Sequence, residues 1–188
     1  MVLFVNGCVR ENSRTLELAQ SVLEHVSDDV MEEIRLYPNG PEGMNAEKLC
    51  LRDALLKKKQ YDHPMFQFAK QFAAADKIVM AAPYWDLAFP AKMRAYLEEI
   101  TVSGITFQYG KDGIPKGLCR AKSLIYVTTA GGPIFQDFGF DYVKALAHAF
   151  YGITEVYLVK AEGLDIWGNN PAEILEQAKC NIPTVLNM

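Results

Sequence analysis

The chain has 188 residues, of which 50% are hydrophobic and 22% are charged, and its net charge is −4. This composition is typical of one globular domain with a sizeable core, and the weakly acidic balance without a basic tract argues against nucleic-acid binding. No apolar run approaches the ~20 residues of a membrane span, and the start, MVLFVNGC, lacks the features of a secretory signal, so we expect a cytoplasmic protein.

Strands and helices alternate along the chain, beginning with a short apolar strand. Residues 15–26 carry apolar side chains at helical spacing, whereas short β-branched and aromatic runs predict strands. Pro90 is expected in the first turn of a helix, where its missing N–H is not needed. The five predicted strands cover residues 2–6, 30–36, 78–82, 123–129 and 154–159. The predicted helices cover residues 15–26, 46–59, 65–75, 90–100, 141–151 and 171–180.

This alternation predicts right-handed βαβ crossovers, and hence an α/β fold with a doubly wound, five-stranded parallel sheet and helices on both faces. We expect residues 1–188 to form a single domain, with residues 105–117 as a loop or hairpin outside the alternation. In such sheets, ligands bind at the carboxyl ends of the strands, where the strand order reverses. The loops after the first, third and fourth strands are therefore expected to form a site together.

Residues typical of metal or triad chemistry are sparse. The four cysteines form no CxxC pair, and neither they nor the three scattered histidines match a zinc template. We expect reduced thiols, no metal site and no catalytic side chain.

The first loop, NGCVRENSRT, covers residues 6–15 and leads into a helix. It contains neither GxGxxG nor the P-loop pattern, which excludes the usual dinucleotide and nucleoside-triphosphate loops. Arg10, Ser13 and Thr15 stand where free amides and the positive end of a helix dipole favour a phosphate. A helix cap is the commoner reason for a serine at such a position, and it remains an alternative for Ser13.

The other two loops complement the first. The second, PYWDL at residues 83–87, places large aromatic side chains at the end of a buried strand, where a flat partner would cover them. The third, TTAGGPI at residues 128–134, has paired glycines that let backbone N–H groups approach a ligand, although a plain turn would explain them as well. Together the three loops predict a site for a ligand with a phosphate at one end and a flat ring system at the other. FMN is the natural candidate.

Over nearly its whole length, the chain resembles the flavodoxin-like NAD(P)H:quinone oxidoreductases and FMN-dependent azoreductases. The most specific segment is APYWDLAFPAKMRAYLEEI, which is similar to the loop and helix that contact the flavin ring in this family. RENSRT resembles the family's phosphate loop, and GITFQYGKDGIPKGL followed by VTTAGGP resembles its insert and its next flavin loop. The chain is short for an FAD-binding member, which favours FMN.

The resemblance implies that the three loops divide the FMN site among them. Asp86 stands where azoreductases usually carry asparagine, Ala130 where many carry a polar or basic residue, and the first serine of the phosphate loop is missing. The implied cofactor-binding residues are Arg10, Ser13 and Thr15 for the phosphate; Pro83, Tyr84, Trp85, Asp86 and Leu87 for the ring; and Thr129, Ala130, Gly131 and Gly132 for the pyrimidine edge.

The resemblance also implies an enzyme whose chemistry belongs to its cofactor. NADH or NADPH would pass a hydride to flavin N5, and a quinone, azo or nitroaromatic acceptor would then collect two electrons. A homodimer with the flavin near its interface is implied as well. The insert, with Phe107 and Tyr109, and the helix over residues 90–100 are expected to help bury the dimer interface beside the flavin, and an insert that folds back on its own subunit remains an alternative.

Two other functions are compatible with this fold. A flavodoxin-like electron carrier would bind FMN but exchange electrons with protein partners, and the net charge of −4 argues mildly against it. A phosphate-binding regulator would bind no flavin, but the acidic cluster for magnesium is missing at the end of the first strand, where Asn6 and Cys8 stand. Steady oxidation of NADH or NADPH with a quinone would distinguish the enzyme from the carrier, and a yellow protein would exclude the regulator.

Overall fold

The computed structural model describes residues 1–26 and 30–186, and in this part of the chain five parallel strands form the central sheet. Their order is 2-1-3-6-7 in chain numbering, with two further short strands in a separate hairpin. This is the doubly wound order that the sequence predicts. The strands are β1 (Val2–Asn6), β2 (Met31–Arg35), β3 (Lys77–Ala81), β4 (Phe107–Tyr109), β5 (Pro115–Gly117), β6 (Ser123–Thr129) and β7 (Glu155–Ala161).

Helices cover both faces of the sheet, as predicted. Because successive side chains of a strand point to opposite faces, Val2 and Phe4 join one apolar cluster, whereas Leu3 and Val5 join the other. The first cluster packs under α1, α6 and α7, and the second under α3, α4 and α5. The helices are α1 (Arg14–Val26), α2 (Ala46–Lys57), α3 (Gln67–Ala74), α4 (Ala91–Ile100), α5 (Phe138–Leu146), α6 (Pro171–Cys180) and α7 (Ile182–Val185).

Several element boundaries differ from the sequence predictions. Pro90 is the extended residue before α4 rather than part of its first turn. Helix α5 begins three residues earlier than expected because the carboxylate of Asp137 accepts the N–H of Phe140 and caps it. Strand β7 continues to Ala161, since Lys160 and Ala161 pair with the last residues of β6. The short helix α7 was not predicted.

The 105–117 insert is a hairpin, with β4 and β5 antiparallel. Phe107 is only 5% exposed, and its ring meets that of Phe150 at 4.9 Å between centroids. The hairpin therefore folds back on its own subunit through Phe107, contrary to the expectation that this residue covers a partner. Tyr109 and Ile114 stay exposed. Among the described residues, no helix is both long and apolar enough to cross a bilayer.

Candidate functional site

The three loops meet at the carboxyl edge of the sheet around an open cavity of about 270 Å³. Eight of the twelve predicted binding residues line it, and four do not: Asp86, Leu87, Ala130 and Gly132. Residues Val9, Asn12, Arg14 and Asp165 also line the cavity and were not predicted. The eight predicted lining residues are Arg10, Ser13, Thr15, Pro83, Tyr84, Trp85, Thr129 and Gly131.

The first loop ends at the amino terminus of α1, and Ser13 is its cap. The Ser13 hydroxyl accepts the N–H of Leu16 at 3.3 Å, and the Ser13 carbonyl accepts the N–H of Glu17 at 3.0 Å. The N–H groups of Arg14 and Thr15, in the first turn of the helix, have no intrahelical acceptor. They and the positive end of the helix dipole lie at the cavity. The alternative role of Ser13 as a cap is therefore present in the structure.

Two buried hydroxyls join the first loop to the third. The hydroxyl oxygens of Thr15 and Thr129 lie 2.6 Å apart, and both residues are buried. One hydroxyl donates to the other, so one O–H of the pair stays available to a ligand in the cavity. Thr15 thus fixes the distance between two loops as well as lining the site.

The aromatic wall is held by hydrogen bonds at Tyr84. Its N–H donates to the carbonyl of Thr129 at 3.0 Å, and its hydroxyl donates to the carbonyl of Gln136 at 2.7 Å. Trp85 beside it is 42% exposed. A flat ligand would find one fixed ring and one largely open ring at this side of the cavity.

A tight turn follows the aromatic pair. Trp85 and Ala88 exchange two backbone hydrogen bonds of 3.2 and 2.8 Å, and the residues between them, Asp86 and Leu87, have φ of 50° and 68°. Positive φ at both central residues is the pattern of a type I′ turn, which glycine and asparagine usually occupy. Nothing in PYWDL indicates this backbone, and neither Asp86 nor Leu87 lines the cavity.

The third loop is fixed by pairing with the loop after β7. Ala130 is buried, and its N–H donates to the carbonyl of Ala161 at 2.9 Å, so this amide is not available to a ligand. The carbonyl of Gly131 accepts the N–H of Asp165 at 2.8 Å. Within the described residues, the N–H groups of Gly131 and Gly132 donate to no backbone acceptor. A Cβ on Gly131 would overlap the Asp165 carboxylate, so any larger residue there would displace that side chain.

An arginine–aspartate pair spans the cavity and was missed from the sequence. Arg14 donates to both carboxylate oxygens of Asp165, at 2.8 and 3.1 Å, and to the carbonyl of Leu164 at 3.3 Å. The guanidinium of Arg14 holds the pKa of Asp165 below its ordinary value. The signal was positional: residues 162–165 follow the last strand at the same sheet edge, where ligand loops gather.

The end of β1 is fixed by Asn6 and offers no reactive thiol. The Asn6 side chain accepts the N–H of Cys8 at 3.0 Å and donates to Glu33 at 2.8 Å. Burial raises the pKa of the Cys8 thiol, so it is protonated at neutral pH. Among the described residues, no group of three or more histidine, cysteine or acidic side chains could hold a metal ion.

The chain is similar to known proteins over most of its length. The sequence model of a family described as having a flavodoxin-like fold matches residues 1–185. The chain is 34% identical to FMN-dependent NADH:quinone oxidoreductase 2 of Clostridium acetobutylicum, over 87% of this chain and 85% of that protein. It is 33% identical to FMN-dependent NADH:quinone oxidoreductase of Coprothermobacter proteolyticus, over 90% and 89%. The azoreductase structure from Bacillus anthracis superposes with a TM-score of 0.83 at 25% identity, covering 99% and 98%.

Proposed function

Because the chain belongs to the family with the flavodoxin-like fold that matches residues 1–185, we propose that it is an FMN-dependent oxidoreductase. It takes two electrons from NADH or NADPH and passes both to a quinone or an azo compound. The observation that carries this proposal is the cavity in which a helix amino terminus, an aromatic pair and a glycine loop meet. Its relatives are named for the same cofactor and the same class of reaction.

The first loop suits the phosphate of FMN. The N–H groups at the start of α1 and the helix dipole favour a dianion. Arg10 is exposed at the cavity rim and adds positive charge. One hydroxyl proton of the Thr15–Thr129 pair completes the donors at this end. The donor set thus fits a phosphate monoester better than a neutral group.

The other two loops suit the ring system. Tyr84 and Trp85 offer aromatic faces, and the half-exposed Trp85 leaves room for a second flat molecule. The N–H groups of Gly131 and Gly132 would stabilise negative charge on the pyrimidine edge, because glycine lets a backbone donor come close. Asp86, Leu87 and Ala130 would contact the ring through backbone or peripheral atoms only, since they do not line the cavity.

Bound in this cavity, FMN would supply the two-electron redox chemistry between the nicotinamide and the acceptor. The protein's part is to orient the ring and keep one face open. Tyr84 is held in place by its two hydrogen bonds and offers a fixed aromatic face that would orient the ring. No nucleophile is required, in keeping with the protonated state of the Cys8 thiol.

We also propose that residues 1–188 constitute one FMN-binding domain that works in the cytoplasm as a homodimer. The four cysteines are all free thiols, as a reducing compartment favours. The dimer proposal rests on an exposed apolar groove of about 610 Å³. This α2–α5 groove is lined by Met44, Leu49, Arg52, Leu97, Glu98, Thr101, Tyr142, Leu146 and Phe150.

Steady-state turnover tests the function. With FMN added, the protein should oxidise NADH or NADPH continuously when a simple quinone or an azo dye is supplied, and only slowly without an acceptor. A flavin-binding protein that shows no turnover with any small acceptor would instead be an electron carrier for protein partners. A protein that binds no flavin would contradict both.

A further inference from the structure

We infer that Arg14 selects the phosphorylated form of the flavin, and that Asp165 is a positioning residue that holds the Arg14 guanidinium at the phosphate end of the cavity. This inference rests on the proposed function. Neither residue was expected to bind the cofactor, and both line the cavity.

The two hydroxyl residues expected to bind the phosphate also hold the local structure of the loops. The Ser13 hydroxyl oxygen accepts the N–H of Leu16 in the helix cap, which leaves its O–H free to donate. The Thr15 hydroxyl lies 2.6 Å from that of Thr129, and the two share a single spare proton. These hydroxyls can therefore donate at most two hydrogen bonds to the phosphate, the group by which FMN differs from riboflavin. A cationic side chain fixed at this end would add to the discrimination that these hydroxyls and the N–H groups at the start of α1 give.

Arg14 has that charge, and its guanidinium plane is fixed. Nη1 donates to Asp165 at 2.8 Å and to the carbonyl of Leu164 at 3.3 Å, while Nη2 donates to Asp165 at 3.1 Å. Of the five N–H donors of an arginine, these contacts use three. The Nε–H and one Nη2–H remain for a phosphate oxygen, which arginine binds well because its donors form a planar fork.

Asp165 is itself anchored to the flavin site. Its N–H donates to the carbonyl of Gly131 at 2.8 Å, and its carboxylate lies where a side chain on residue 131 would otherwise stand. Arg14 belongs to the first turn of α1, which follows the first loop. The ion pair therefore connects the phosphate end of the cavity to the glycine loop, and the position of the guanidinium depends on the position of that loop.

The Asp165 carboxylate balances the net charge of the pair, so Arg14 would act on the phosphate at short range, through its charged N–H donors and their fixed orientation. An unrestrained arginine loses rotamer freedom when it binds a ligand, and this loss weakens binding. Asp165 has already restricted Arg14, so a phosphate would meet a pre-oriented donor. Arg10, which is exposed at the rim, remains the net positive charge on this side.

A second arginine–aspartate pair provides a matched control. Arg120 donates one hydrogen bond to Asp76 at 2.6 Å, and both side chains of this pair are solvent-exposed. Asp76 immediately precedes β3, so this pair lies at the amino edge of the sheet, opposite the cavity. Breaking it removes the same chemistry without touching the flavin site.

The experiment measures dissociation constants for FMN and riboflavin in Arg14→Gln, Asp165→Asn, the double variant and Arg120→Gln. Loss of a hydrogen bond to a charged group predicts that Arg14→Gln weakens FMN by about 10- to 100-fold and riboflavin by less than about 2-fold. Asp165→Asn should weaken FMN by a smaller factor, about 3- to 10-fold, and should have no further effect once Arg14 is replaced. Arg120→Gln should leave both constants unchanged.

Three results would overturn the inference. Equal losses for FMN and riboflavin would mean that the pair only supports the loops. Additive losses in the double variant would mean that Asp165 does not act through Arg14. Tighter FMN binding in Asp165→Asn would mean that the carboxylate competes with the phosphate. Failure of the unaltered protein to bind either flavin would contradict the proposed function instead.

Discussion

At the residue scale, the site depends on side chains that hold loops as well as line a cavity. Thr15 joins the first loop to the third through Thr129, and Tyr84 joins the second to the third through its N–H and to Gln136 through its hydroxyl. Each of these hydrogen bonds fixes a distance across the cavity before any ligand arrives. Such preorganisation lowers the conformational cost of binding.

Ser13 is expected to affect stability more than cofactor choice. Replacing it with alanine removes the cap on α1 and should lower the free energy of unfolding by about 1 kcal/mol. FMN and riboflavin affinities should fall together, by a small and equal factor. Chemical unfolding and flavin titration of Ser13→Ala, with Ser13→Asn as the cap-retaining control, check this. A loss confined to FMN would show that the hydroxyl binds the phosphate directly.

Asp86 tests the electrostatics near the ring. A carboxylate beside the bound cofactor disfavours additional negative charge on it, so Asp86→Asn should raise the flavin reduction potential. Asparagine tolerates the left-handed backbone observed here, with φ of 50°, so the turn should be kept. Potentiometric titration of both proteins gives the sign. An unchanged or lowered potential would mean that the Asp86 side chain points away and only its backbone meets the ring.

At the element scale, strands and helices followed from the sequence, and the local backbone of the loops did not. The apolar runs of β1, β3 and β6 were recognisable because both faces of these strands are buried. The position of the cavity could be predicted too, because ligands bind at the edge of the sheet where the parallel strands end. By contrast, Arg14 and Asp165 are 151 residues apart, and no local pattern links them. The type I′ turn could not be predicted either, because Asp86 and Leu87 are not the residues that usually occupy its central positions.

The turn after the aromatic pair makes its own prediction. Leu87 has φ of 68°, which a β-branched residue disfavours strongly and asparagine accepts. Leu87→Asn should therefore be more stable than Leu87→Val, by about 1–2 kcal/mol. Both changes remove the same half-exposed leucine, so urea unfolding of the pair isolates the backbone effect. Equal stabilities would mean that the turn adopts another conformation in solution.

At the scale of the whole molecule, surface ion pairs affect stability in acid, and accessible apolar side chains affect association with a second copy. The amino-terminal ammonium and Arg120 both contact Asp76, which ties the start of β1 to the segment before β6. The residues that line the α2–α5 groove take no part in this contact, and Leu49 is the exposed apolar side chain among them. Because Phe107 is buried in its own subunit, the groove carries the dimer proposal rather than the hairpin.

Acid should weaken the fold partly through Asp76. The hydrogen bond to the amino terminus holds the pKa of Asp76 below its ordinary value of 3.8, so the native state binds fewer protons than the unfolded chain. The stabilisation is present above that value and is lost as the pH falls through the lowered pKa. Asp76→Asn should therefore flatten the decline of the urea midpoint between about pH 5 and pH 3. A decline as steep as in the unaltered protein would contradict this.

The dimer can be tested with two leucines of one helix. Leu49 is 40% exposed and lines the groove, whereas Leu51 is 44% exposed and does not. Light scattering should give about twice the chain mass of 21.1 kDa for the unaltered protein and for Leu51→Lys. Leu49→Lys should shift the mass toward the monomer, because a charge in a buried interface is costly. Equal masses for both variants would exclude this groove as the interface.

The most direct test of the central claim follows the bound flavin under anaerobic conditions. The FMN-loaded protein is mixed first with NADH or NADPH and then with a quinone, while the absorbance of oxidised flavin is recorded. We expect the first addition to bleach that absorbance and the second to restore it, with one quinone reduced for each flavin. A flavin that stays oxidised with both nicotinamide nucleotides, or that is reduced but never reoxidised by quinone or azo acceptors, would contradict the account.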